Sequence, residues 1–352
     1  MSRDSDSSIQ HLAVVVIGRN EGERLRRCLN SVASLKLPPG IHHAATVYVD
    51  SNSTDNSLEV ARSLGAHIIA LPTGPWTAAR GRNIGWRAAL ELHPIDWVLF
   101  LDGDTVLDPE FLPAACSQAI PESSIASVFG LRIESHPQQS IYTWVLALDW
   151  LQDSHQHAHF GGDVLLRVSA LLASDGYDDS LIAGEDPELS HRIGTLGWRH
   201  LQLDRLMTTH DLAILRFSQY WSRLLRSGYA YADVAERFRH TPERFWYGDS
   251  RRNVLRGSFW LVSLVASLAF AISFALLHLP ARAIASIGLW LAIFSAASMR
   301  SAWRYRRRSD SRITLFLYGI HSQFQQIPLL FGQLNWFFDH LRSRHRTLIE
   351  YK

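Results

Sequence analysis

Apolar residues in this chain fall into short unbroken runs, separated by stretches in which they recur every three or four positions. Leu12–Ile17, Ala45–Val49 and Ala66–Leu71 are such runs, and each predicts a strand. After the first, Leu25, Cys28, Leu29, Val32 and Leu35 line one face of a helix that Asn20 is placed to cap. A second helix, over residues 55–64, stops at Gly65, a good residue just past a helix end. A third opens at Thr77–Asn83 and ends before Pro94. Trp97–Leu101 is apolar throughout, without Gly or Pro, which suits a strand buried on both faces of a parallel sheet. Ile125–Ile133 is a further strand candidate. Strand and helix alternating in such short steps predict βαβ units, hence an α/β fold with a mostly parallel sheet flanked by helices.

The chemistry collects where these runs end. Trp97–Leu101 leads into Asp102-Gly103-Asp104, and Asp108-Pro109 then reads as a helix N-cap with Pro in the first turn. In open α/β sheets ligands bind beyond the carboxyl ends of strands, where both acids would stand. Two close carboxylates repel unless a cation or a shared proton relieves them. The pattern therefore suits Mg²⁺ or Mn²⁺ bridging to a diphosphate, or else a solvated acidic turn. A D-x-D-G-T phosphatase signature is not met, because Gly103 lies between the acids and Thr105 follows directly. Arg80 and Arg82 at a helix start lie against its dipole, a placement that becomes favourable beside an anion. His155, His157 and His159, followed by Gly161-Gly162-Asp163, read as a polar loop lining a cleft, with a metal site as the alternative. Gly184-Glu185-Asp186-Pro187 is a second carboxylate cluster, in which Asp186 either caps a helix or takes a proton from a substrate hydroxyl. His210, beside Asp211, is a further ligand or a satisfied core histidine.

The chain has 352 residues and a formal net charge of +2, too small to suggest nucleic acid as a partner. Two cysteines imply no disulfide framework. Residues 1–10 are polar and lack the apolar core of a signal peptide. They are expected to be a flexible tail, leaving the following domain in the cytosol.

The C-terminal third changes character. Ser258–Leu277 is free of formal charge and long enough to cross a bilayer core at ~20 residues. Ala283–Met299 is a second, shorter charge-free run. Arg251, Arg252 and Arg256 precede the pair, and Arg300, Arg304, Arg306, Arg307 and Arg308 follow it, which predicts a transmembrane hairpin with both ends in the cytosol. Ile313–Phe338 is apolar but carries His321 and four glutamines, and so reads as an interfacial helix rather than a third span. The expected division is 11–215 for the catalytic domain and 216–256 for an amphipathic membrane-proximal segment. It continues with 257–299 for the hairpin and 300–352 for a basic segment with the interfacial helix.

Six stretches in order resemble the inverting glycosyltransferases of family 2. They are Val15-Val16-Ile17-Gly18-Arg19-Asn20-Glu21, Val49-Asp50-Ser51-Asn52-Ser53-Thr54-Asp55, Ala79-Arg80-Gly81-Arg82-Asn83-Ile84-Gly85, Asp102-Gly103-Asp104, Gly161-Gly162-Asp163 and Gly184-Glu185-Asp186. The resemblance spans about Leu12–Asp211 and implies the GT-A nucleotide-diphospho-sugar fold. It implies that Asn20 and Glu21 border a nucleotide pocket, that Asp50 binds the base and that Arg82 lies near the nucleotide. Asp102 would face the ribose or donor sugar, Gly162 and Asp163 would shape the pocket, and Asp104, with His210 as a candidate partner, would hold Mn²⁺ or Mg²⁺. Asp186 would be the general base with Glu185 beside it. Gly18-Arg19 replaces the usual Pro and aromatic residue, and Asp163 stands where Asn is common.

The implied activity is transfer of one sugar from a UDP- or GDP-sugar to a hydroxyl of a lipid or lipid-linked acceptor, at the inner (cytoplasmic) membrane. Gln219-Tyr220-Trp221-Ser222-Arg223 only echoes the Gln-x-x-Arg-Trp motif of polymer synthases, which speaks against processive synthesis. A polyprenyl-phosphate acceptor is the alternative chemistry, and a catalytically idle nucleotide-sugar-binding scaffold the alternative of another class.

Overall fold

The computed structural model describes residues 10–150 and 159–342. The chain divides into two compact units, residues 1–136 with 150–212, and residues 137–149 with 213–352. Residues 137–149, expected within the 11–215 domain, thus group with the C-terminal helices. Of the expected tail, residues 1–9 lie outside the described residues, as do His155 and His157.

The first unit contains strands β1 (Gln10–Gly18), β2 (Ile41–Asp50), β3 (His67–Ala70), β4 (Trp97–Asp102), β5 (Thr105–Leu107), β6 (Ile125–Glu134), β7 (Val164–Arg167) and β8 (Arg199–His210). Its helices are α1 (Glu23–Ala33), α2 (Ser57–Ser63), α3 (Ala78–Leu92), α4 (Phe111–Ala119), α6 (Val168–Ala173) and α7 (Glu185–Thr195), with α5 (Ile141–Trp150) between β6 and β7. The eight strands form one sheet in the order β3-β2-β1-β4-β7-β6-β8-β5. β1 to β4 are mutually parallel, and β6 runs parallel to β8. β7 is antiparallel to both of its neighbours, and β5 turns back antiparallel on β8. The sheet is therefore mixed but mostly parallel. Leu12–Val16 and Val98–Leu101 are sealed from solvent, as their unbroken apolar character requires of strands covered on both faces.

Local helix starts depart from expectation at three places. Gly22, not Asn20, occupies the N-cap of α1, because Asn20 Oδ1 is committed to Thr54 N at 2.7 Å in the loop after β2. Gly184, in the left-handed region, caps α7, so Asp186 falls within its first turn. Asp108 Oδ1 accepts from Glu110 N at 2.9 Å, making a turn that delays α4 to Phe111.

The second unit contains α5, α8 (Phe217–Arg237), α9 (Tyr247–Leu276), α10 (Pro280–Arg304), α11 (Arg312–Phe324) and α12 (Gln326–Leu341). α9 and α10 are 30 and 25 residues long, with mean hydropathy of 2.2 and 1.5 over their most apolar stretches. They pair as a hairpin, with Trp290 Nε1 donating to Ser263 Oγ at 3.0 Å and Ser267 Oγ to Ser286 O at 3.0 Å. Their remaining apolar side chains, Val262, Val265, Ile284 and Leu289 among them, are exposed. The single helix expected over 313–338 is instead two, α11 and α12, meeting at Gln325. Its polar groups turn inward: His321 Nδ1 shares a 2.7 Å hydrogen bond with the Tyr220 hydroxyl, and Gln333 Oε1 accepts from Ser250 Oγ at 2.6 Å. α8 and α12 touch backbone to backbone, since a Cβ on Gly332 would lie 2.1 Å from Leu225 O.

Candidate active site

β1 lies between two parallel partners, with Gly18 in register with Asp50 on β2 and Ile17 with Asp102 on β4. Loops leaving this triplet stand at the carboxyl ends of the strands, the place where open α/β sheets hold ligands. Asp50 is 1% exposed, and its carboxylate accepts from the Tyr48 hydroxyl at 2.9 Å, Ser53 N at 2.8 Å and Ser53 Oγ at 2.5 Å. Burial first, and then the Asp50 charge, push the Tyr48 phenol far above its ordinary range, so it remains a donor. Asn20 N donates to Ser53 Oγ at 2.9 Å and Glu21 N to Ser57 Oγ at 3.0 Å, while the Glu21 carboxylate meets Arg24 at 2.8 Å. Asn20, Glu21 and Asp50 are thus brought into one braced pair of loops.

Arg82, 2% exposed, enters from the first turns of α3, which Thr77 caps by accepting from Arg80 N. Its Nη2 donates to Asp102 Oδ1 at 2.8 Å and its Nη1 to Glu185 Oε1 at 2.9 Å, with Asp186 Oδ1 3.4 Å from the same Nη1. One guanidinium therefore gathers carboxylates from the end of β4 and the start of α7. Burial opposes its charge, but Asp186 and Asp102 outweigh burial and hold Arg82 charged well above its ordinary range. The Asp186 carboxyl is displaced upward, to about 8: burial disfavours its anion, Arg82 opposes that, and Glu185 and Asp102 add like charge.

Gly162 is required by this crowding. A Cβ there would stand 2.5 Å from Arg82 Nη2 and 2.7 Å from Asp102 Oδ2. Asp163 lies deeper and holds the frame: its Oδ1 accepts from Asp102 N at 3.0 Å and its Oδ2 from Thr208 Oγ1 at 2.6 Å.

Asp104 and His210 meet across the β5–β8 pairing, with His210 Nε2 3.1 Å from Asp104 Oδ2 and both side chains buried. At this separation the imidazole and the carboxylate are within hydrogen-bond reach of each other. His210 Nδ1 faces Glu134 Oε2 at 3.5 Å. Glu134, His136 and Asp211 form a further group that could hold a metal ion, with one ligand atom from each lying within 4.8 Å of the others.

Several site residues were not foreseen from the sequence. Arg132, on β6, donates to Asp102 Oδ2 at 3.2 Å and approaches Asp163 Oδ2 at 3.4 Å, so Asp102 sits between two guanidiniums. Tyr177 lies with its ring 5.6 Å from the Arg82 guanidinium. Glu134 and His136 reach the site because Glu134 pairs in register with His210. No local pattern marks any of the four.

The first unit thus gathers acids around two arginines, one buried and one half-buried, at the carboxyl end of an α/β sheet. Residues 13–143 match the family described as Glycosyl transferase family 2. An uncharacterised glycosyltransferase of Rickettsia conorii is 31% identical over 104 residues, 30% of this chain and 32% of that protein. The succinoglycan biosynthesis protein ExoA of Rhizobium meliloti is 24% identical over 198 residues, 51% of this chain and 59% of that one. The chain thus spans about a third of the length of the Rickettsia relatives it matches. A solved mannosyltransferase from Pyrobaculum calidifontis, in complex with GDP-mannose and Mn²⁺, superposes with a TM-score of 0.57 at 14% identity, over 93% of this chain and 87% of that one. That likeness establishes the GT-A fold.

Proposed function

We propose that the chain is a membrane-anchored inverting glycosyltransferase that moves one sugar from a nucleotide-sugar donor to a hydroxyl on a membrane-associated lipid or lipid-linked acceptor. The observation that carries this reading is the Arg82 junction, which unites Asp102, the nucleotide-side acid, with Glu185 and Asp186. Inversion needs a base on the acceptor side and stabilisation of the departing diphosphate opposite it. Asp186 takes the proton of the attacking hydroxyl. Arg82 and Arg132 supply fixed positive charge around Asp102, where the donor lies. Asn20, Glu21 and Asp50 border the nucleotide, and Gly162 and Asp163 shape the pocket by seating Arg82 and Asp102. Asp104 and His210 are the residues that would hold a divalent ion, whose charge would neutralise the diphosphate. The curated relative ExoA, named for succinoglycan biosynthesis, supports a cell-envelope or exopolysaccharide acceptor. The exposed apolar hairpin of α9 and α10 supports anchoring in the cytoplasmic membrane, with the first unit in the cytosol.

The test is thermal stabilisation of the detergent-solubilised protein by a panel of UDP-, GDP- and CDP-sugars with Mn²⁺ or EDTA. One donor is expected to raise the melting temperature in Mn²⁺, and Asp104→Ala to abolish that rise. A wild-type protein that is folded yet stabilised by no donor would favour the idle scaffold instead.

A further inference from the structure

The hairpin of α9 and α10 carries nearly all of its charge at one end. The hydrogen bonds of Trp290 to Ser263 and of Ser267 to Ser286 set the two helices antiparallel. Carried back along α9, that register puts Arg256 level with Ala297, so that Arg251–Arg256 and Arg300–Arg304 stand at the same end. The turn at the opposite end holds His278 and Arg282 as its basic residues. At a rise of about 1.5 Å per residue, Arg251–Arg256 covers about 7.5 Å and Arg300–Arg304 about 6 Å. A bilayer about 40–45 Å thick with a hydrocarbon core of about 30 Å leaves about 5–8 Å for each headgroup layer. The arginines therefore fill a slab as thick as that layer, next to the charge-free run Ser258–Leu277.

Their partners matter as much as their level. Arg308 turns inward, donating to Leu148 O at 3.1 Å and the Tyr318 hydroxyl at 2.8 Å, and Arg252 pairs with Asp249. Arg251, Arg256, Arg300, Arg304, Arg306 and Arg307 are exposed, and among the described residues none of the six has a carboxylate partner. Residues 247–257 and 296–312 contain nine arginines against two acids, Asp249 and Asp310. Surfaces that face water intersperse both signs. This one carries a single sign, which anionic phosphate at the same depth neutralises. Arg251 lies over the Tyr247 ring and Arg304 over the Tyr305 ring, each at 5.8 Å. Such placement restrains a guanidinium while leaving its N–H groups for phosphate oxygens.

We propose that this arginine belt binds anionic phospholipid headgroups, so that the protein gathers phosphatidylglycerol-type lipid around the cytosolic end of its hairpin in preference to zwitterionic lipid. This rests on the reading of α9 and α10 as a membrane hairpin and is independent of the sugar chemistry. In each contact a guanidinium N–H donates to a phosphate oxygen, and the excess positive charge draws the lipid from the surrounding leaflet.

The test reconstitutes the full chain into phosphatidylcholine vesicles carrying a trace of spin-labelled phosphatidylglycerol or spin-labelled phosphatidylcholine. Electron paramagnetic resonance then reads the share of each lipid slowed at the protein surface. Phosphatidylglycerol is expected to be favoured about fivefold, the equivalent of one arginine at the membrane surface, and the preference to shrink toward parity in molar salt. Arg306→Gln with Arg307→Gln, both in the exposed turn after α10, should lower it about twofold. Equal slowing of the two lipids by the wild-type protein overturns the proposal and leaves the membrane hairpin standing. A preference that neither salt nor the double variant reduces overturns it as well, because the arginines are then not its source. Stronger displacement by inorganic phosphate than by chloride at equal ionic strength assigns the belt to a soluble phosphate group and overturns the headgroup reading. Slowing of neither lipid overturns both the proposal and the hairpin.

Discussion

Asp186 sits in the first turn of α7 with Arg82 on one side and Glu185 and Asp102 nearby, and its pH behaviour follows from that company. Burial, the strongest influence, favours the neutral acid, and the two like charges act in the same direction against Arg82. With its carboxyl displaced upward to about 8, Asp186 is expected to lose its action as the proposed base as pH falls below that point. kcat/KM is therefore expected to climb about tenfold per pH unit on the acid side and level off above pH 8. Glu185→Gln removes one like charge and should shift the inflection downward, which a pH–rate profile of the two proteins would read. In folding terms the sign is the opposite of a stabilising salt bridge. The native carboxyl holds its proton more tightly than the unfolded one, so stability falls as pH rises from the ordinary carboxylate range toward 8. Asp102, Asp104, Glu185 and Asp186 were legible because each lies at the end of an apolar run or the start of a helix, where polar side chains have little structural reason to cluster. Tyr177 was not legible. Its place beside Arg82 depends on a clamp from Asn83, 94 positions earlier, which leaves no mark in a linear pattern.

α3 crosses β1 and β2 at a place where helix and sheet nearly touch. A Cβ on Gly85 would lie 2.3 Å from Val15 Cγ1 and 3.1 Å from Val49 Cγ2, both within the sealed part of the sheet. Alanine in a helix interior ordinarily gains up to about 1 kcal/mol over glycine, whereas overpacking a filled core costs about 1–3 kcal/mol. Gly85→Ala should therefore lower the melting temperature despite its better helix propensity, as thermal unfolding in detergent would record. β1, β2, β4 and α3 were readable to within a few residues because long apolar runs and apolar faces announce them. β5 and β7, three and four residues long, were not. They are strands by virtue of antiparallel partners far away in the chain, and such pairing has no local period. The break at Gln325 falls in the polar stretch His321-Ser322-Gln323-Phe324-Gln325-Gln326, just before Pro328, where two helices rather than one could have been read.

For the molecule as a whole, α9 and α10 present apolar side chains outward along most of their length, while the first unit buries its own. The chain is accordingly expected to sediment with membranes, resist extraction by alkaline carbonate and yield to detergent. Release by carbonate would show the hairpin to be packed against protein instead. The composition shift at Ser258 made this half of the architecture visible from the sequence. The assignment of residues 137–149 to the C-terminal unit was not visible. It rests on side-chain contacts such as the Tyr318 hydroxyl to Asp149 Oδ1 at 2.7 Å and Arg308 Nη1 to Leu148 O at 3.1 Å, made across more than a hundred residues.

The placing of Asp50 and Asp102 on opposite neighbours of β1 also amounts to a calliper. Two interstrand spacings of about 4.8 Å put their main chains about 10 Å apart, and hydrogen bonding through β1 leaves that gap no freedom to open or close. A molecule engaging both acids must be about that long. Neither a free hexose nor inorganic diphosphate reaches from one to the other, whereas a nucleoside carrying its diphosphate does. If the site acts as proposed, preference for a whole donor over its fragments would be a matter of length, set by the spacing of a β-sheet before any base or sugar is recognised.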